Sequence, residues 1–130
     1  PDGHLVLRGG NGCTNYHPEA VEEVAKELVK AGLADRLMVG CSHDNSNKDF
    51  RRQSEVLQAV ATQVRQGSTH LMGVMLESHL VEGNQKLPED LSTLVYGQSI
   101  TDACIDIETT ATLLEDLAAA VASVTLSPIT

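Results

Sequence analysis

The chain predicts an α/β fold built on parallel strands, and three observations carry that expectation. Short apolar runs alternate with longer stretches of helical periodicity, the runs are apolar at every position, and each is soon followed by a polar residue able to do chemistry. Continuous apolar strands joined through helices mark a parallel sheet covered on both faces. In such sheets the carboxyl ends of the strands bring functional groups to one side.

The first run, Leu5-Val6-Leu7, is closed by Arg8 and the turn signal Gly9-Gly10, and a polar loop continues to Tyr16. Pro18 suits the first helical position, Glu19, Glu22 and Glu23 suit a helix start, Lys26 and Lys30 fall late, and Gly32 is placed to end the helix. Val21, Val24, Ala25, Leu28 and Val29 share one face. Glu22, Glu23 and Glu27 stand three or four residues from Lys26 and Lys30, a solvated charged face. The second run, Leu37-Met38-Val39, leads through Gly40-Cys41-Ser42-His43 and a polar stretch to a helix with the stripe Leu57, Val60, Ala61 and Val64, stopped near Gly67. The third run, Leu71 to Leu76, ends in Glu77-Ser78-His79, and the polar segment from there to about Ile105 reads as one long loop. A last helix carries Leu113, Leu117, Val121 and Val124, with Asp106 as its N-cap. Arg8, His43 and Glu77 stand 35 and 34 residues apart, a period that also suits helical repeats. The strand-like runs and the missing repeat consensus argue against that reading.

With 130 residues the chain fits a single domain. Eighteen acidic against nine basic residues give a net charge of −9, with no basic stripe to follow a phosphate backbone. Nucleic acid is therefore an unsuitable partner. Tyr16, Phe50 and Tyr96 are the whole aromatic complement, and no apolar run approaches the roughly 20 residues of a membrane span. No membrane partner and no export signal are expected. Cys13, Cys41 and Cys104 are odd in number and widely spaced, which fits a reducing cytoplasm. The first residue is Pro1, which reads as a processed chain or part of a longer one.

Taken singly, the strand-end residues have ordinary readings: Arg8 pairs with an acid, and His43 is a hydrogen-bonded loop histidine. Glu77, after six apolar residues, is harder to explain, because a carboxylate there is costly unless paired or metal-bound. Arg8 beside two glycines also suits an anion clamp. His43 and Glu77 on adjacent strands suit two ligands of a divalent metal, and Asp102 could supply a third. His4, His17, His70 and His79 have no partner at ligand spacing, and Cys41 reads as a small buried filler.

Four segments carry a resemblance: His4-Leu-Val-Leu-Arg-Gly-Gly10, Cys41-Ser-His-Asp-Asn-Ser-Asn-Lys48, Gly73-Val-Met-Leu-Glu-Ser-His-Leu-Val-Glu-Gly-Asn-Gln85 and Tyr96-Gly-Gln-Ser-Ile-Thr-Asp-Ala-Cys-Ile105. In this order they closely resemble the C-terminal part of the 3-deoxy-D-arabino-heptulosonate 7-phosphate (DAHP) synthases of enteric bacteria and yeast. The resemblance implies a (β/α)8 TIM barrel that opens the shikimate pathway to aromatic amino acids by condensing phosphoenolpyruvate with erythrose 4-phosphate, releasing phosphate. It implies that Arg8 binds phosphoenolpyruvate and that His43, Glu77 and Asp102 are three of four ligands of a divalent metal, manganese, iron or cobalt. It further implies a part for His43 in proton transfer and for Asp102 at the substrate. On this comparison residues 1–130 are strands six to eight of a single barrel domain, and the fourth ligand, a cysteine, and other phosphate-binding cations belong to the first five βα units.

Three local departures accompany the resemblance. Gly40 stands where the family usually has an aspartate, Asn11 where it has a lysine, and Asp106-Ile107 where it has Gly-Trp. Since three βα units cannot close a barrel, the expected partners include the missing part of the barrel and further copies of the chain. The competing expectation is a truncated paralogue that has lost catalysis and acts as an interaction module through open strand edges. A third is an unrelated metal hydrolase on an α/β scaffold.

Overall fold

The computed structural model describes residues 3–125, so Pro1 lies outside it. Three strands, β1 (Leu5–Leu7), β2 (Leu37–Gly40) and β3 (Leu71–Met75), form one sheet in the order β1-β2-β3, with both pairings parallel. Helices α1 (Pro18–Lys30) and α2 (Gln53–Arg65) make the two crossovers, and α3 (Ile107–Thr125) packs against α2.

The helix boundaries follow local chemistry. Pro18 opens α1, where its missing N–H costs nothing. Gly32 closes α1 at φ +73°, and the Leu33 N–H donates back to the Leu28 carbonyl at 2.9 Å. Gly67 closes α2 in the same way, with the Ser68 N–H on the Gln63 carbonyl at 3.0 Å. Asp106 caps α3 by accepting from the Thr109 N–H at 2.8 Å. This gives the Asp106-Ile107 departure a structural role, that of starting the helix.

One core joins Leu7, Leu37 and Val39 of the sheet to Val21 of α1, Val56, Leu57 and Val60 of α2, and Leu113 of α3. All three helices thus serve one face of the sheet. The expected cover on both faces is absent among the described residues: Val6 is 37% and Met75 42% exposed on the opposite side. Three positions on the predicted helix faces, Val29, Val121 and Val124, are also exposed. On α3 the predicted Leu113 is buried and Leu117 half-buried against the core, and the other buried position is Ala120.

The predicted long loop contains regular structure. Strand β4 (Val81–Asn84) pairs in parallel with β5 (Gln98–Ser99). Polar side chains brace this ribbon: Gln85 donates to the carbonyls of Val95 and Gln98 and accepts from the Val95 N–H, while Gln98 donates to the Glu82 carbonyl. No described helix is long and apolar enough to cross a membrane.

Candidate metal centre

The parallel register sets Leu7, Val39 and Val74 abreast, so the chain leaves all three strands at one end of the sheet. Over that end lies a cavity of about 650 Å³ whose lining includes Arg8, His43, Lys48, Glu77 and Asp102. The four residues singled out from the sequence therefore share one pocket.

Each is held by specific local chemistry. The loop after β2 is tied to the strand ends by Asn45, which is fully buried. Its amide donates to the Leu7 carbonyl at 3.1 Å and the Gly40 carbonyl at 2.9 Å, and its oxygen accepts from the Asn15 N–H at 2.8 Å. Gly9 makes this closeness possible: at φ +79°, a Cβ there would lie 2.7 Å from the Asn45 nitrogen and from the Asp44 Cβ. His43 itself has φ +55°, a left-handed conformation that a non-glycine residue keeps only where its surroundings enforce it. Its Nδ1 lies 2.8 Å from the hydroxyl of buried Ser42.

The departure at Gly40 leaves no carboxylate there, and a Cβ at that position would stand 3.2 Å from the Arg8 Cβ, a contact eased by a shift of a few tenths of an ångström. Ser42 provides the ring contact instead. Asn11, another departure, has φ +53° in the tight Gly10–Cys13 turn, a conformation asparagine tolerates well.

Glu77 is fixed through its main chain. Its N–H donates to Oε1 of Gln53 at 2.8 Å, and its carbonyl accepts from Nε2 of Gln53 and from the Ile105 N–H, both at 3.0 Å. The Ile105 contact continues the ribbon, in which Gly83 and Cys104 exchange two backbone hydrogen bonds. By this route Asp102, distant in sequence, arrives beside Glu77.

Ligand atoms of His43, Glu77 and Asp102 all lie within 4.8 Å of one another, and His43 Nδ1 stands 3.9 Å from a Glu77 oxygen. Bonds of roughly 2.0–2.2 Å place neighbouring ligands of one ion about 3–3.6 Å apart, so these donors would draw together by up to about 1 Å to close on it. One imidazole and two carboxylates suit a borderline divalent cation. Arg8 makes no ion pair among the described residues, and neither does Lys48. Two cations therefore face the same pocket with their charge available to an anion.

Other candidates fall away. Cys41 is fully buried, and burial pushes its thiol up to about 12, so it fills space and holds no thiolate. His70 pairs with Asp35 at 3.1 Å, and His17 stacks on Tyr16, both away from this cavity. The sequence reading overlooked Gln53 and Lys48. Gln53 had a visible signal: it precedes Val56, Leu57 and Val60 by three, four and seven residues, which places a polar side chain on the buried stripe of α2.

The sequence profile of the DAHP synthetase I family matches residues 1–115. The chain belongs to that family. Among its relatives, a Tyr-sensitive phospho-2-dehydro-3-deoxyheptonate aldolase of Enterobacter agglomerans is 50% identical over 117 residues, which are 90% of this chain and 54% of that protein. The Tyr-sensitive aldolase of Escherichia coli is 48% identical over 117 residues, 90% of this chain and 33% of that one. A solved structure of the Francisella tularensis aldolase superposes with a TM-score of 0.88 at 43% identity, covering 94% of this chain and 35% of its own. The chain thus spans between a third and about half of the length of these family members. Its α/β architecture with parallel strands is that of a third of a DAHP synthase structure.

Proposed function

We propose that this chain supplies the metal-binding wall of a DAHP synthase, formed by the last three βα units of a (β/α)8 barrel. The observation that carries the reading is the convergence of His43, Glu77 and Asp102 on one point beside Arg8. The reaction is the condensation of phosphoenolpyruvate with erythrose 4-phosphate in a reducing cytoplasm.

Within it, Arg8 clamps the anionic groups of phosphoenolpyruvate, for which a planar, permanently charged guanidinium is well matched. His43, Glu77 and Asp102 would hold a manganese, iron or cobalt ion, which would supply Lewis-acid polarisation of the aldehyde carbonyl. Ser42 sets the His43 ring, and His43 can move a proton at the reacting atoms. Three βα units leave the barrel open. The isolated chain is therefore a metal binder without turnover, completed by the other five units and assembled with further copies of itself.

Titration with Mn²⁺, followed by the electron paramagnetic resonance signal of the free ion, tests the reading. Uptake of one ion per chain, lost in Glu77→Ala, is the expected result; no uptake by the unsubstituted chain would overturn it. A second reading rests on the exposed Val6 and Met75 beside the outer edges of β1 and β3. There the chain is a catalytically inactive paralogue that docks through those edges. Stable self-association without Mn²⁺ uptake would favour it.

A further inference from the structure

Gln53 is buried to 0% exposure at the first position of α2, yet its side-chain amide turns away from the apolar core and toward the end of β3. Both halves of that amide are engaged by the main chain of one residue: Oε1 accepts from the Glu77 N–H and Nε2 donates to the Glu77 carbonyl. This pairing imitates a strand ladder where the sheet has ended, since Met75 is the last residue of β3. Two hydrogen bonds from one rigid amide fix the Glu77 backbone in position and rotation, and hence the direction in which its carboxylate leaves the chain. The Ile105 N–H on the same carbonyl ties that placement to the segment bearing Asp102.

We infer that Gln53 is a positioning residue for the metal centre, holding Glu77, and through Ile105 the Asp102 segment, in register with His43. This rests on the metal reading of that group. Gln53 touches neither ion nor substrate; it acts through the Glu77 peptide. The same helix offers an internal control, because Gln63 is also a buried glutamine that donates to a main-chain carbonyl, that of Tyr16, outside the cavity.

Mn²⁺ affinity separates the possibilities. Gln53→Met keeps the volume and removes both hydrogen bonds, and loss of an outer-layer partner of a ligand typically weakens metal binding by about 10–100-fold. That loss is expected in Gln53→Met and not in Gln63→Met, with both variants retaining the helical circular dichroism of the parent. Equal Mn²⁺ affinity in Gln53→Met and the parent, or an equal loss in Gln63→Met, would overturn the inference. If the unsubstituted chain takes up no Mn²⁺, it is the metal reading that has failed. Should Gln53→Met not fold, nuclear magnetic resonance of the unsubstituted chain carries the test. Saturating Zn²⁺ is expected to shift the Gln53 side-chain amide protons and leave those of Gln63 in place. Gln53 protons unmoved by the ion would overturn the proposal.

Discussion

The βα layer and the ribbon that follows it are held together by different forces. In the layer, Leu37, Val39, Leu57 and Val60 are at most 1% exposed, and apolar burial does most of the work. In the ribbon, Leu80, Leu87, Leu91 and Tyr96 are half-exposed or more, and amide side chains bonded to the backbone take over. The candidate centre lies across the boundary, with His43 and Glu77 set by the layer and Asp102 set by the ribbon. Substitutions in the two regions should therefore move different observables: stability in the layer, and metal affinity with little loss of stability in the ribbon.

The largest effect is expected from Leu57→Ala, in the middle of the layer. Truncating a fully buried leucine costs about 2–5 kcal/mol, a large share of a total of about 5–15 kcal/mol. Met75→Ala, on the open face, should cost well under half as much in the same denaturant titration. Comparable losses would mean that the open face is covered in solution. Asn45→Ala comes next. It removes the donor for the carbonyls of Leu7 and Gly40 and the acceptor for the Asn15 N–H, and each buried group left unpaired costs about 1–3 kcal/mol. Because the same loop carries His43, this variant should also lose Mn²⁺ affinity, which links the two observables within the layer.

Gln85→Ala addresses the ribbon. Its three hydrogen bonds run to Val95 and Gln98 at the surface, where water can replace them, so a cost of about 1 kcal/mol is expected. The strand leading to Asp102 loses its bonds at Val95 and Gln98 while the Asn84–Thr101 and Gly83–Cys104 ties remain, so Mn²⁺ binding should weaken several-fold with the unfolding midpoint almost unchanged. A fall in stability as large as that of Asn45→Ala, with affinity intact, would remove the distinction between the two regions.

That distinction also decides what could be read from the sequence. Burial imprints a period on a sequence, so the three strands, the two crossover helices, the glycine stops at Gly32 and Gly67 and the cap at Asp106 were legible. So was the arrival of Arg8, His43 and Glu77 at one end of a parallel sheet, since the rule behind it is topological. Strands β4 and β5 were not, because they are stitched by Gln85 and Gln98 and leave their apolar residues outside, with no alternation to detect. Val29 and Val124 failed for another reason: periodicity gives the direction a helix face points, not how far along the axis a partner extends. Gln53 was legible only in principle, as a polar residue on an apolar stripe.

The smallest effect concerns acid. Asp106 caps α3 where the ribbon rejoins the layer, and its hydrogen bonds from the side chain and backbone of Thr109 hold its carboxyl below the ordinary value of 3.8. Asp90, inside the ribbon, is held low by Ser92 in the same manner. A carboxyl whose folded value is depressed contributes stability that is complete above its unfolded value and disappears as pH falls through the folded one. Both caps should therefore act fully at about pH 6 and fade below about pH 4. Asparagine also caps helices but does not titrate there. Asp106→Asn should flatten the acid limb of a plot of unfolding midpoint against pH, because α3 packs on α2 within the cooperative layer. Asp90→Asn should leave that limb as it was, because the ribbon turn it caps contributes nothing buried to the core. An acid limb equally steep in the parent and in Asp106→Asn would show that other carboxylates govern it.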